Sequence, residues 1–257
     1  MDICLESTLE LAVAWAREVG EVQRSNFRSG HLDIETKSTV HDVVTKVDKL
    51  SESMLLERIG KHFPDHSVLG EESGEHDLHS DYLWVIDPLD GTNNYSQGLP
   101  VYTVSIGLQY KGETVLGVVY APYTDELYTA VRGKGAFLNG KQIHVATKTD
   151  LNQSVLATGF PYDKGINPVN NIDNLSRILP HLRGIRRMGS AAYDLCNVAA
   201  GFLDGYWELG LKLWDVCAGV LIVQEAGGVV EHFRYDRGIA IMTANPKLLE
   251  KIKDFIR

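Results

Sequence analysis

The sequence contains little cysteine, no strongly basic segment and no long apolar run. Its three cysteines, Cys4, Cys196 and Cys217, are odd in number and include no CxxC pair, which argues against a disulfide framework and against a cysteine-type zinc site. The net charge is −9, and no stripe of Lys and Arg alternates with aromatic residues, so binding to nucleic acid or to an anionic membrane is disfavoured. No apolar run is long enough to cross a bilayer.

Common catalytic and targeting motifs are absent as well. The sequence has no P-loop, GxSxG, HExxH or GxGxxG motif, and its nine histidines show no metal-ligand spacing. The first residues, MDICLESTLELAVAWAREVG, combine early acids with periodic apolar positions, unlike a signal peptide. A chain of 257 residues, 44% of them hydrophobic, can bury a core as one large domain or two small lobes. We therefore expect a soluble, cytoplasmic protein.

The most informative stretch is residues 84–100, WVIDPLDGTNNYSQGLP. The apolar run at 82–86 has no helical period and predicts a buried strand. Two aspartates follow it, Asp87 and Asp90. Pro88 lies between them, fixes its own φ and keeps Asp87 out of the helical region. The sequence thus presents two carboxylates where a strand ends.

Gly91 and Thr92 complete this turn. Gly91 permits a tight bend, and Thr92 is a predicted helix N-cap. Two carboxylates close together beside a buried strand repel each other and lose solvation, and a hard cation such as Mg²⁺ or Mn²⁺ relieves both costs. The same residues also fit a turn in which each aspartate caps backbone amides, so other segments have to decide between the two interpretations.

Residues 37–48 carry Asp42, Thr45 and Asp48 at a spacing of three, which places them on one face if the segment enters a helix. That helix is predicted to end before Pro64. A polar helix start explains these residues equally well, because Asp and Thr are favoured there.

Two other segments precede the central stretch. Residues 3–27 show apolar positions at a helical period and predict an amphipathic helix packed on the body of the protein. Residues 67–74 read as a short strand followed by Glu71 and Glu72 between glycines, where backbone and carboxylates can approach a shared point. Exposed loop glutamates are common, so this signal is weak alone.

Residues 101–145 alternate in polarity between turn signals and predict an antiparallel meander. After about residue 147 strands alternate with helices, which is typical of an α/β unit. We therefore predict one domain over 1–257 with an N-terminal α+β lobe, residues 1–146, and a C-terminal α/β lobe, residues 147–257.

Three features of the C-terminal lobe concern function. Residues 189–192, Gly-Ser-Ala-Ala, open a predicted helix whose amides can accept an anion or sugar hydroxyls, or simply cap and pack. Glu208 ends a predicted strand. Asp215 lies in the first turn of a helix that is apolar nearly all round and so deeply buried. Aspartate favours helix N-termini, but a buried one favours a cation beside it.

Taken together, these segments resemble the inositol monophosphatase family. Its first signature is similar to WVIDPLDGTNNY at 84–95, and its second to WDVCAGVLIVQEAGG at 214–228. The segments 37–48, 70–73 and 189–194 also fit, so the resemblance covers nearly the whole chain. It implies a layered αβαβα sandwich of the sugar-phosphatase type and a Mg²⁺-dependent, lithium-sensitive phosphomonoesterase that is often a homodimer.

The resemblance also implies roles for residues, with two or three Mg²⁺ ions, or Mn²⁺ in their place, at the site. The implied metal ligands are Glu71, Asp87, the Leu89 carbonyl, Asp90 and Asp215. The implied catalytic residues, which position or activate water, are Asp48, Thr92 and Glu71. The implied substrate-binding residues are Gly91, Thr92, Ala191, Glu208 and Asp215. Gln97 departs from the family, which often has His nearby, but that position lies outside the metal set.

Several readings of substrate and class stay open. The favoured one is hydrolysis of myo-inositol monophosphate. The alternatives within the same fold are a fructose-1,6-bisphosphatase, an NADP phosphatase or, ranked lower, a phosphatase of 3′-phosphoadenosine nucleotides. A non-catalytic regulator that binds protein or RNA is less favoured because all the acids are present. A Ca²⁺-stabilised structural protein would not need Asp48 or Thr92.

Overall fold

The computed structural model describes residues 3–30, 32–37, 42–76 and 79–257. Its α-helices are α1 (Leu5–Asn26), α2 (Lys46–His62), α3 (Thr92–Ser96), α4 (Ile172–Ile178), α5 (Ala191–Ala199), α6 (Leu213–Glu225) and α7 (Pro246–Ile252). Short 3₁₀ helices span Leu151–Gln153 and Leu179–His181. The strands up to the central stretch are β1 (Glu35–Thr36), β2 (Val43–Val44), β3 (Ser67–Gly70), β4 (Gly74–His76) and β5 (Tyr82–Asp90).

Ten strands follow the central stretch. They are β6 (Thr103–Tyr110), β7 (Glu113–Ala121), β8 (Glu126–Val131), β9 (Ala136–Leu138), β10 (Lys141–Ile143), β11 (Val155–Thr158), β12 (Gly184–Arg186), β13 (Gly205–Leu211), β14 (Val229–Arg234) and β15 (Ile239–Ala244). An eight-stranded sheet has the order β10-β9-β8-β7-β6-β5-β3-β4 and is antiparallel except where β3 pairs with β5. A five-stranded mixed sheet has the order β12-β11-β13-β15-β14, with β11 parallel to both neighbours. β1 and β2 pair separately.

The helices and sheets form five layers, αβαβα. Helices α1 and α2 cover one face of the eight-stranded sheet, where Trp15, Leu55 and Trp84 are buried together. Helices α5 and α6 fill the space between the two sheets. Helix α7 and the end of α4 cover the outer face of the five-stranded sheet, around Trp207 and Leu248. The predicted layered fold is confirmed, while the proposed boundary between lobes near residue 146 stays a prediction.

Helix α6 reaches the eight-stranded sheet closely because two facing strands carry glycine. A Cβ on Gly107 would lie 2.5 Å from the Cys217 sulfur, and one on Gly117 would lie 2.8 Å from the Ala218 carbonyl oxygen. The helix is buried along most of its length, as its apolar sequence predicts. This close seat brings the first turn of α6, with Asp215, to the end of β5.

Several predicted boundaries were wrong. β5 continues through Asp90 rather than stopping at 86. Helix α3 begins at Thr92 and its N-cap is Gly91, so the predicted cap at Thr92 is wrong by one residue. Helix α2 begins at Lys46, so Asp42, Thr45 and Asp48 do not share a helical face. Helix α4 ends at Ile178, where a 3₁₀ turn follows it.

Within the described ranges, none of the helices is both long enough and apolar enough to cross a membrane. The longest, α1, carries its polar residues along one side.

Candidate active site

The predicted acidic residues lie at or beside the ends of strands and helices that meet at one edge of the eight-stranded sheet. Asp87 and Asp90 flank an irregularity in the β5–β6 ladder, where Pro88 lacks the backbone donor that regular pairing needs. The Leu89 amide turns back to donate to Asp87 Oδ1 at 3.1 Å. Glu71 directly follows β3, the parallel neighbour of β5.

Burial and mutual repulsion raise the pKa values of these acids. Burial raises the pKa of Asp87 well above its ordinary value, and the negative charges of Glu71 and Asp90 raise it further. The pKa of Asp215 is likewise raised well above its ordinary value, first by burial and then by Asp90. Burial raises the pKa of Glu71 as well. The four carboxyl groups therefore lie close enough to interact, and a cation would stabilise them all.

The donor set fits a hard divalent ion, because it consists of carboxylates and a backbone carbonyl. Within the described residues, no three acidic, histidine or cysteine side chains already enclose a metal position. Other partners hold them instead: Lys37 Nζ contacts Glu71 Oε1 at 2.8 Å and also Glu72, and the Lys212 amide donates to Asp215 Oδ2 at 2.6 Å. The Lys37 ammonium thus supplies positive charge beside Glu71.

Lys37 is also held in its charged form. Burial alone would lower its pKa, but Glu71 and Glu72 outweigh that effect and raise it. The pKa of Glu72 is raised to about 7, chiefly by burial. Lys37 lies at the start of the segment that resembles the family, but a lone lysine carries no sequence signal for such a contact.

Asp48 and Thr92 form a buried hydrogen-bonded pair. Thr92 Oγ1 lies 2.7 Å from Asp48 Oδ1 and 3.0 Å from the Leu89 carbonyl oxygen, and both side chains are buried. Asp48 Oδ2 accepts from the Thr45 amide and hydroxyl, in a capping box that begins α2. Asp48 therefore caps the start of α2, as the interpretation of a polar helix start predicts, and it also contacts Thr92.

Gly91 lets the chain turn from β5 into α3. Its φ is 99°, a left-handed conformation that side chains disfavour, and a Cβ there would lie 2.8 Å from the Val101 carbonyl oxygen. This turn sets Thr92 at the first position of α3. Thr92 is 9% exposed, so its hydroxyl is nearly enclosed beside the acids.

The start of helix α5 holds Asp90. Asp90 Oδ2 accepts from Ser190 Oγ and from the Ala192 amide, both at 2.7 Å. These bonds lower the pKa of Asp90, but burial dominates and raises it to about 6. The helix N-terminus that the sequence predicts as an anion site therefore binds a carboxylate of this chain.

The acids border a cavity of about 290 Å³. Five of the predicted site residues line it: Glu71, Asp90, Ala191, Glu208 and Asp215. The other predicted residues, Asp48, Asp87, Leu89 and Thr92, connect to them behind this lining, while Gly91 shapes the turn. Arg187, Tyr162 and Lys212 also line the cavity and were not among the predicted residues.

Glu208 reaches the cavity because the residue opposite is glycine. A Cβ on Gly159 would lie 2.0–2.1 Å from the atoms of the Glu208 carboxyl group, so a side chain at this position would displace the carboxylate. Tyr206 Oη donates to Glu208 Oε2 at 2.7 Å. Burial raises the pKa of Glu208 to about 7, although the Tyr206 hydrogen bond lowers it. Glu208 is thus an oriented acceptor whose charge changes near neutral pH.

Glu52 was missed by sequence reasoning. It lies one helical turn after Asp48 on α2, is 2% exposed, and accepts from the Glu72 amide at 2.8 Å and the Ser73 amide at 2.7 Å. Gly70 has no side chain that would displace this carboxylate. Helix α2 therefore fixes both the residue that contacts Thr92 and the loop that carries Glu71. The only sequence signal was the i, i+4 spacing, which is common in helices.

We expect Glu52→Gln to weaken the binding of a divalent cation such as Mg²⁺ to these acids by about tenfold, the size of effect found for groups that orient metal ligands. Glutamine keeps one acceptor and points an amide N–H₂ at the second loop amide, so the Glu71 loop loses its hold. Calorimetric titration with Mg²⁺ measures the affinity directly. Glu57→Gln, on the same helix with a 73% exposed side chain, is the control. Unchanged Mg²⁺ affinity in Glu52→Gln would exclude this role.

Comparison with known proteins identifies the family to which the chain belongs. Residues 4–251 match the model of the inositol monophosphatase family. The chain is 44% identical to Nus factor SuhB of Pasteurella multocida, over 97% of this chain and 95% of that protein. Its structure resembles that of extragenic suppressor protein suhB from Bartonella henselae, with a TM-score of 0.89, 35% identity and coverage of 96% of this chain and 97% of that one.

A second solved structure carries an enzyme name. It is the inositol monophosphatase from Anabaena (Nostoc) sp. PCC 7120, with a TM-score of 0.85, 38% identity and coverage of 97% of this chain and 95% of that one. The family match, the relatives and the shared fold agree over nearly the full length. The chain therefore belongs to the inositol monophosphatase family.

Proposed function

We propose that this protein is a metal-dependent phosphomonoesterase that hydrolyses myo-inositol monophosphate to inositol and phosphate. The observation that carries the proposal is the buried Asp48–Thr92 hydrogen bond of 2.7 Å, joined through the Leu89 carbonyl to a group of mutually repelling carboxylates. A structural core gains nothing from such repulsion. Hydrolysis of an anionic ester uses each part, because it needs bound cations and a proton acceptor for water.

The residues that would hold Mg²⁺ are Glu71, Asp87, the Leu89 carbonyl, Asp90 and Asp215. When bound, Mg²⁺ supplies positive charge that masks the phosphoryl oxygens and acidifies coordinated water. Two or three ions are the family expectation, and Mn²⁺ suits the same oxygen donors. Asp90 lies at the end of β5 and Asp215 in the first turn of α6, so the proposed ligand set depends on the packing of α6 against the eight-stranded sheet.

Thr92 and Asp48 would take the proton of the attacking water. The Thr92 hydroxyl has a single hydrogen, which it donates towards Asp48, so its oxygen lone pairs are available to accept one from water. As the water oxygen bonds to phosphorus, its proton passes to the Thr92 oxygen and the Thr92 proton passes to Asp48. The phosphorus–alkoxide bond breaks, and the leaving alkoxide oxygen takes a proton from solvent water, while Asp48 returns its proton to solvent to complete the cycle. A weak base is enough when the water is already acidified.

The alcohol would bind on the side of the cavity formed by Ala191, Glu208 and Asp215. Glu208 is oriented by Tyr206, and as a carboxylate it accepts hydrogen bonds from two hydroxyls. A ring that carries several hydroxyl groups matches this arrangement. The amides of Gly91 and Thr92 are the proposed contacts for the phosphate.

The first experiment measures phosphate release with Mg²⁺ from inositol-1-phosphate, fructose-1,6-bisphosphate, NADP and 3′-phosphoadenosine-5′-phosphate. Each assay is repeated with EDTA and with Li⁺, and an Asp90→Asn preparation controls for a contaminating phosphatase. We expect EDTA-sensitive release, fastest from inositol-1-phosphate. Faster release from another ester would keep the chemistry and replace the substrate, whereas no release from any ester would contradict the proposed function.

We propose as a second candidate that the chain also has the role for which its relatives are named, that of a Nus factor. Identity of 44% across 97% of the chain supports it. The test asks whether this chain restores Nus factor activity in Pasteurella multocida that lacks its own SuhB, with wild type and Asp90→Asn compared. Rescue by both would separate this role from the phosphatase site. Rescue by neither would exclude the second candidate.

Two properties stay predictions: homodimer formation, which the family resemblance implies, and a cytoplasmic location, which the N-terminal sequence and the lack of a long apolar run favour. Light scattering at several concentrations of protein measures the first directly.

A further inference from the structure

The loop at 161–171 is fastened to the body of the protein at both ends. The Asn171 side chain is 4% exposed, and its amide donates to the Gly159 carbonyl oxygen at 2.7 Å and to the Thr158 hydroxyl at 2.8 Å. Trp207 in turn donates to Asn171 Oδ1 at 2.8 Å. The last residue of the loop is therefore joined to Thr158 and Gly159, which come just before the loop begins, and to β13, the strand that carries Glu208.

The middle of the loop is held by an arginine from the β14–β15 hairpin. Arg237 makes two hydrogen bonds to Asp163, at 2.7 and 3.0 Å, and a third to the Val169 carbonyl oxygen. This paired geometry is the strongest form of ion pair between side chains. Arg237 also accepts from the Gly210 amide through its carbonyl at 2.9 Å, which ties the hairpin to the bulge of β13. The loop at 161–171, called the strap below, is therefore held in one position beside the cavity.

Tyr162, next to the clamped Asp163, lines the cavity between the strap and the acids. Its side chain is 46% exposed. Burial raises its pKa, and the charges of Glu71 and Asp42 raise it further. Phe160 and Pro161 line the same side, and this side of the cavity is therefore apolar, whereas Glu208 provides an acceptor.

We propose that Tyr162 is a specificity-determining residue, held by the Asp163–Arg237 ion pair so that its ring packs against the apolar face of a cyclic polyol phosphate. This inference rests on the proposed phosphatase function. A cyclic polyol has an apolar face of C–H groups and a rim of hydroxyls, which matches an aromatic ring on one side and a carboxylate on the other. A small acyclic alcohol has no such face and gains nothing from the ring.

The test compares inositol-1-phosphate with glycerol-2-phosphate, an ester of a small acyclic alcohol. We expect Tyr162→Ala to lower kcat/KM for inositol-1-phosphate by about five- to tenfold, mainly through KM, as expected for one aromatic contact, and to leave glycerol-2-phosphate within about twofold. Tyr162→Phe should match the wild type on both esters. Arg237→Ala should shift selectivity in the same direction as Tyr162→Ala, and by less.

Arg17→Ala is the matched control, because it removes a 2.9 Å ion pair with Asp125 that is remote from the strap. Equal losses of kcat/KM on the two esters would overturn the inference, because they would point to misfolding. A loss in Tyr162→Phe as large as in Tyr162→Ala would also overturn it, because it would assign the effect to the tyrosine hydroxyl. No turnover of either ester by the wild type would instead remove the proposed function, and this inference with it.

Discussion

Asp90→Asn is expected to lower phosphatase activity by about a thousandfold or more while making the metal-free protein more stable at neutral pH. The activity is lost because the variant removes a carboxylate from the ligand set. Stability increases because Asp90 is a half-buried negative charge near Glu71, Asp87 and Asp215, and an amide of the same shape removes both the cost of desolvating that charge and the repulsion. Its bonds from Ser190 and Ala192 are weakened but keep an acceptor.

The stability gain depends on pH in a defined direction. The pKa of Asp90 is raised from 3.8 to about 6 in the folded protein, so the folded state is favoured at acidic pH and loses stability as pH rises from about 4 through 6. A shift of this size corresponds to about 3 kcal/mol at most, and weaker hydrogen bonds in the variant offset part of it. We therefore expect Asp90→Asn to be stabilised by about 1–2 kcal/mol above pH 7 and not at pH 4.

Denaturant unfolding in EDTA, at pH 4 and about pH 7.5, measures this difference. Mg²⁺ should stabilise the wild type strongly and the variant weakly. Asp125→Asn is the control, because the pKa of Asp125 is lowered by Tyr120 and Arg17, so its removal should destabilise the fold slightly. If Asp90→Asn is active at saturating Mg²⁺, or is less stable than the wild type in EDTA, Asp90 is not part of a metal site.

Asp48→Asn is expected to lower kcat by about a hundred- to ten-thousandfold, the range for losing a positioned proton acceptor, with Mg²⁺ affinity unchanged. Burial raises the pKa of Asp48, which makes it a better base than an exposed aspartate. The asparagine oxygen can still accept from the Thr45 amide, so the start of α2 is preserved. The variant therefore removes proton transfer and keeps the fold.

The pair can be tested as a unit with Thr92→Val. If Thr92 passes the proton to Asp48, the double variant should be hardly slower than either single variant, because each alone already breaks the path. Single-turnover kinetics and Mg²⁺ calorimetry on the wild type, the two single variants and the double variant provide the double-mutant cycle. Fully additive losses would show that the two residues act separately, and a large fall in Mg²⁺ affinity would make Asp48 a support of the ligand set.

The types of most elements could be predicted from the sequence, because burial on one face or both leaves a period in the apolar residues. Their ends could not, since long-range pairing decides them: β5 runs on to Asp90 because β6 supplies a partner there. The candidate acids could be named from the sequence because carboxylates at the ends of apolar segments are unusual there, and the family resemblance selects among them. Their roles stay predictions. Gln97, the departure from the family pattern, lies at the end of α3 and away from the acids.

Residues that support the site were harder to find. Glu52 and Tyr162 carry no local signal, since a glutamate inside a helix and a tyrosine in a loop are ordinary. Their importance depends on which backbone amides or which cavity they contact after folding. Glu52, for example, contacts the Glu72 amide, which is 20 residues away in the sequence. The start of α5 at Ser190 is the opposite case, because it carries a local signal for binding an anion. In the folded chain, however, the Ala192 amide donates to Asp90.

Because α6 packs closely against Gly107 and Gly117, a chain cut into two fragments could reassemble through this contact. Glu71, Asp87 and Asp90 precede residue 147, whereas Ser190, Glu208 and Asp215 follow it. If the chain were cut between residues 147 and 150, each fragment would lack part of the proposed ligand set. The set would be complete again only after α6 packs against Gly107 and Gly117 of the other fragment. Mg²⁺ bound by ligands from both fragments would then stabilise their complex. Phosphate release from the mixture would measure how much complex forms, and chelation of Mg²⁺ would weaken the association.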